Sequence, residues 1–133
     1  MKKVKGLIIM LLISLSLFGM TACDGGNEKS STYEQITAEQ AKNIMDTEKD
    51  YVIIDARTDE EFAEGHIENA ILIPEYEIAD RAEKELSDKE QLILVYCRSG
   101  RRSKIASEEL VKLGYTNVKE FGGIIDWPYD IVK

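Results

Sequence analysis

An α/β domain built on a parallel sheet, with helices on both faces, is what the sequence predicts. Short continuous apolar runs, Tyr51–Asp55 and residues 92–96 above all, read as strands buried on both sides. Amphipathic stretches with their own start and stop signals separate them, and alternation of this kind builds parallel sheets. A cysteine and a cluster of arginines follow directly on the 92–96 run. Such sheets bind ligands beyond the carboxyl ends of their strands.

Each element has a local reason. Thr37-Ala38-Glu39-Gln40 is a capping box, in which the first and last side chains satisfy each other's backbone N–H groups. The helix it opens carries Ala41, Ile44 and Met45 on one face. Tyr51–Asp55 is the first clear strand. Thr58-Asp59-Glu60-Glu61 is a second capping box, opening a helix that Gly65 should end. Residues 70–73 form a short strand stopped by Pro74. Residues 75–86 read as a helix, charged on one face with Ile78 and Ala82 on the other. After the 92–96 strand, residues 104–113 form a helix with Ala106, Leu110 and Leu113 inward and Gly114 closing it. Residues 118–121 complete the set as a final strand.

The chemistry is concentrated in Cys97-Arg98-Ser99-Gly100-Arg101-Arg102-Ser103. A cysteine between a strand end and a helix start meets backbone N–H groups that lack helical partners. The helix dipole adds partial positive charge there and favours the thiolate, the reactive form. The chain has five arginines, and three of them stand in this loop. Arg101 and Arg102 lie at a helix N-terminus, where the dipole disfavours cations, so an anion is expected to offset them. Gly100 supplies the positive φ that a tight anion-cradling loop needs. A merely buried cysteine would leave the charge cluster without a reason.

The N-terminal residues carry an address rather than a fold. Lys2, Lys3 and Lys5 precede a twelve-residue apolar stretch, residues 7–18, too short to span a bilayer but suited to a secretory signal. Met20-Thr21-Ala22-Cys23 resembles the lipobox of bacterial lipoproteins, with Met20 where Leu is usual. The expected organisation is a signal peptide over 1–22, a flexible polar tether over 23–34 and one domain over 35–133, with Cys23 lipidated. The implied location is extracytoplasmic, on the bacterial cell membrane. Asp24 resembles an inner-membrane retention signal where the envelope has two membranes.

Composition then removes function classes. Without residues 1–22 the chain keeps 14 basic against 25 acidic side chains, a net charge of −11 over 111 residues. That sign argues against nucleic acid as a partner. It also repels anionic lipid, so membrane attachment is left to the lipid chain. With Cys23 lipidated, Cys97 has no cysteine to pair with inside the chain. One cysteine and one histidine, far apart, form no recognisable metal-ligand set, so neither metal nor cofactor is expected.

Together these residues resemble a single-domain rhodanese of the thiosulfate sulfurtransferase family, over about residues 36–130. Val52-Ile53-Ile54-Asp55-Ala56-Arg57 is similar to the family's strand ending in Asp-x-Arg. Glu61-Phe62, Gly65-His66-Ile67 and Ala70-Ile71 resemble its next segment, with Asn69 in place of a usual glycine. Tyr96 to Ser103 resembles the active-site loop, and Gly114-Tyr115, Val118, Gly122-Gly123 and Trp127 the closing segment. The related phosphatases have a seven-residue loop with Arg six positions after Cys; here that position is Ser103, so the phosphatase pattern fails.

The resemblance implies a rhodanese-like parallel sheet and two-step nucleophilic catalysis. The Cys97 thiolate would take sulfane sulfur from a small anionic donor such as thiosulfate, and a thiol or cyanide acceptor would remove it. Loop amides from about Arg98 to Arg102, with Ser99 and Gly100 between, would hold the persulfide. Arg98, Arg101 or Arg102 would neutralise the donor. Asp55 stands on the same rim, either tuning the site or not; Arg57 is expected to pair with Glu60 or Glu61 and fix the corner after its strand. His66 is expected to be structural rather than a general base, since a donor with sulfite as leaving group needs no strong base and the resemblance assigns Gly65-His66-Ile67 to structure. Trp127 is expected in core or site-wall packing. A monomer is expected. A tethered binding module and a persulfide or redox sensor are the other readings the fold leaves open.

Overall fold

The computed structural model describes residues 32–133. Cys23, the signal sequence and most of the expected tether lie outside the described residues. Five parallel strands form one sheet in the order β1-β5-β4-β2-β3, with β1 Glu34–Gln35, β2 Tyr51–Asp55, β3 Ile71–Leu72, β4 Leu92–Cys97 and β5 Val118–Gly123. The connecting helices are α1 Ala38–Thr47, α2 Asp59–Glu64, α3 Ile78–Glu85 and α4 Arg101–Lys112.

Strand alternation divides the core into two halves. On one face Ile54, Ile93, Val95 and Val118 pack against Ile78 and Ala82 of α3 and Ala106 and Leu110 of α4. On the other, Ile53, Leu94, Tyr96 and Phe121 pack against Ala41, Ile44 and Met45 of α1 and against Trp127. Helices therefore cover both faces. Burial on both sides is why β2 and β4 read as unbroken apolar runs.

The Thr37–Gln40 capping box is complete: the Gln40 N–H donates to Thr37 Oγ1, and Gln40 Oε1 accepts from the Thr37 N–H. At the second, the Glu61 N–H donates to Thr58 Oγ1, and the Glu61 carboxylate accepts from the Thr58 hydroxyl at 3.3 Å while also pairing with Arg102. The helix expected from residue 75 begins as a 3₁₀ turn, Glu75–Glu77, because Pro74 at φ −51° and ψ 145° enters from extended backbone. The domain also gains β1, which starts at Glu34 and pairs in parallel with Lys119 and Glu120 of β5. Two residues are too few to show periodicity in a sequence. Among the described residues, no helix is long and apolar enough to cross a membrane.

Candidate active site

β4 ends at Cys97 and α4 begins at Arg101, so three residues make the turn between them. The thiol is buried, and the Gly100 N–H donates to Cys97 Sγ at 3.0 Å. Gly100 takes φ +104°, the left-handed conformation that returns its amide toward the sulfur. β5 runs two residues past the expected end, with Gly123 opposite Cys97 after an irregularity in register. A Cβ at Gly123 would stand 2.0 Å from the Arg98 carbonyl oxygen. The loop backbone thus lies directly on a glycine, and the Ile125 N–H adds a bond to the same Arg98 carbonyl at 3.2 Å.

The arginines divide. Arg98 and Arg101 are exposed and join no ion pair among the described residues; Ser99 is exposed between them. Arg102 is held instead by Glu61 of α2, Nη1 to Oε1 at 2.6 Å and Nη2 to Oε2 at 2.9 Å. This bidentate pair holds the Glu61 carboxyl down to about 2, against the opposing effect of burial. Arg102 still acts electrostatically on the Cys97 thiol. Its guanidinium braces α2 against α4, and its charge reaches the sulfur without contact.

Arg57 does not pair with Glu60 or Glu61. Its Nε and Nη2 donate to Asp55, the shortest bond being 2.7 Å, and Nη2 also donates to the Gly65 carbonyl. The Tyr96 hydroxyl donates to Asp55 Oδ2 at 2.6 Å and accepts from the Ile67 N–H. Burial, then the Asp55 charge, push the Tyr96 hydroxyl up, so it remains a donor. Asp55 pairs in register with Tyr96, which packs on the α1 face, whereas Cys97 packs on the α4 face. Asp55 and Arg57 therefore clamp the strand ends; Asp55 lies across the sheet from the thiol, whereas Arg57 also lines a cleft with Glu61 and with Arg98 of the loop. His66 stacks on Phe62 at 3.7 Å between centroids, bonds to the Phe62 carbonyl and bridges to Val132. Trp127 packs on Phe121. Neither ring contacts the sulfur.

Ser103, the last residue of the loop motif, gains a role at the site, and Glu120 is the residue there that the sequence reading missed. The Cys97 thiol donates to Ser103 Oγ at 3.3 Å, and Ser103 Oγ lies 2.6 Å from Glu120 Oε1. Ser103 is fully buried and Glu120 is 3% exposed. The available signal was Glu120's place, two residues after Val118 and so on the same inward face of β5. A charged residue on a core-facing position is the anomaly that points to function.

The thiol at a strand's carboxyl end, under a strand-to-helix turn whose Arg98 and Arg101 join no ion pair among the described residues, matches a known architecture. Residues 37–128 match the family of the rhodanese-like domain. The chain belongs to that family. Thiosulfate sulfurtransferase PspE of Escherichia coli is 40% identical over 80 residues, covering 60% of this chain and 77% of its own length. Thiosulfate sulfurtransferase GlpE of Coxiella burnetii is 33% identical over 96 residues, covering 71% of this chain and 87% of its own. Among solved structures, a rhodanese with anions from E. coli superposes with a TM-score of 0.59 at 37% identity, covering 62% of this chain and 98% of that one. A rhodanese-like domain protein from Staphylococcus aureus gives 0.62 at 34% identity, with 73% and 93% covered. This rhodanese domain shares with them the parallel sheet on which its loop is carried.

Proposed function

We propose that this rhodanese-family protein is a sulfurtransferase working through a persulfide on Cys97. The observation that carries the reading is the sulfur itself: buried at a strand end, in receipt of the Gly100 N–H, and overhung by a loop with two arginines that join no ion pair among the described residues. In the first half-reaction the Cys97 thiolate attacks the outer sulfur of thiosulfate. A bond forms from Sγ to that sulfur, the S–S bond of the donor breaks, and sulfite leaves with the electron pair. A thiolate or cyanide then attacks the outer sulfur and releases the Cys97 thiolate. Arg98 and Arg101 attract the dianionic donor against the acidic background of the domain. The thiosulfate sulfurtransferases among the relatives support this choice of donor.

We also propose that the chain is secreted, lipidated on Cys23 and held as a monomer on the outer side of the cell membrane, as the lipobox resemblance implies. One experiment addresses both proposals: intact mass of protein extracted from membranes, before and after thiosulfate, beside Cys97→Ser. The expected result is a diacylglycerol mass on Cys23, with one added sulfur on the wild type that cyanide removes and the variant never gains. A folded protein with a free thiol that gains no sulfur from any sulfane donor would sink the enzyme reading. An unmodified Cys23 would sink the anchor.

A further inference from the structure

The feature not yet accounted for is Glu120. It is a carboxylate 3% exposed that forms no ion pair among the described residues. Its Oε1 accepts from the Ser103 hydroxyl at 2.6 Å and from the Gly122 N–H at 2.8 Å, both neutral donors. Burying a carboxylate without a counter-ion is unfavourable. A group with a proton to give, the Cys97 thiol, is one hydroxyl away. Ser103 has a single proton and its closest acceptor is Glu120, which leaves its oxygen lone pairs free for the Cys97 S–H at 3.3 Å.

We propose that Cys97 and Glu120 share one proton through Ser103, and that Glu120 keeps it while the sulfur works. This rests on the reading of Cys97 as the nucleophile. The S–H bond breaks and its proton passes to Ser103 Oγ; the Ser103 O–H bond breaks and its proton passes to Glu120 Oε1. The hydroxyl is restored, no atom is oxidised or reduced, and the negative charge moves from carboxylate to sulfur. The charge gains by the move. At Glu120 it sits in the core beside neutral donors. At the sulfur it meets the Gly100 N–H, the N-terminus of α4 and the Arg102 charge. Glu120 is then neutral, so the buried site carries one negative charge, on thiolate or persulfide, through both half-reactions.

The groups facing this pair are few. β4 contributes Cys97 itself; α4 contributes Ser103, with Arg102 turned toward Glu61 of α2 and near Glu75. Gln35 of β1 stands in register with Glu120, and Tyr33 packs against the same face. Lys119 points to the opposite face and holds Glu34. Glu120 is thus a positioning residue, acting through Ser103 without touching substrate.

The test is the pH dependence of iodoacetamide alkylation of the full chain, read at Cys97 by site-resolved mass spectrometry, which needs no sulfur donor. Two groups sharing a proton titrate as a pair in two steps. The wild type is expected to show a two-step rise in rate and Glu120→Gln a single step at higher pH, about tenfold slower near neutrality. Ser103→Ala, which keeps the carboxylate and removes the bridge, is expected to lose the lower step as well, and decides the matter should E120Q fail to fold. A single step in the wild type overturns the proposal. So does a lower step that survives in both variants. Failure of the sulfurtransferase reading is separate: it shows as no added sulfur on a chain whose alkylation profile still has two steps.

Discussion

Tyr96 and Cys97 are neighbours in β4, yet each leads to a different buried carboxylate. Tyr96 faces the α1 side and bonds to Asp55, which is also gripped by the side chain and backbone N–H of Arg57. Cys97 faces the α4 side and reaches Glu120 through Ser103. Asp55 has a cation and several donors; among the described residues Glu120 has two neutral donors and no cation. The first arrangement saturates a charge and so holds the strand ends rigid. The second leaves a charge free to exchange with a nearby proton. Counter-charge decides which carboxylate is a clamp and which is available for chemistry.

Breaking the clamp should have the largest effect on stability. Asp55→Asn leaves Arg57 buried without its counter-ion and is expected to cost about 3–5 kcal/mol. Glu120→Gln keeps an acceptor for Ser103 and Gly122 and strands no cation, so a loss of about 1 kcal/mol is expected. Urea denaturation of the two variants measures the contrast. Equal losses would mean that the two carboxylates do the same work.

Gly123→Ala tests how closely the α4 side is built around the loop. Its methyl would collide with the Arg98 carbonyl, which must lift together with the sulfur cradle. Overpacking of this kind costs about 1–3 kcal/mol. Displacing the catalytic loop by about 1 Å should lower sulfur transfer by about 100-fold. Steady-state kinetics and thermal unfolding on one preparation separate the two losses. Near-normal turnover would show that the loop does not need its glycine seat.

The smallest effect concerns the part-buried pair beside the loop, Arg102 and Glu61. Glu61 is held near 2 from an ordinary 4.5, so its pairing with Arg102 contributes stability in full above about pH 4.5. That contribution falls away as pH drops from there toward 2, because the folded form must then take up a proton it resists. Arg102→Gln should flatten the stability slope in this window and leave it unchanged near neutrality. An unchanged acid slope would show that Arg102 does not stabilise the folded carboxylate.

Local signals were enough for most of the frame. Continuous apolar runs named β2 and β4, the Thr37 and Thr58 caps started α1 and α2, and Cys97 with its arginines marked the site. What remained hidden depends on partners distant in sequence. Arg57 has Asp55 two residues before it and Glu60 and Glu61 just after; only the packed strand end, with Gly65 and Tyr96 closing on it, selects Asp55. Glu61 is taken by Arg102, 41 positions away.

The sequence alone therefore determined the fold class and the place of Cys97 in a strand-to-helix loop, because strand period, helix caps and a positive-φ glycine are written within a few residues of each other. The tertiary structure decided which charges are spent and which are free. Ion pairing and proton sharing depend on distances of a few ångströms between β4, α2, α4 and β5, and those are set when the chain packs.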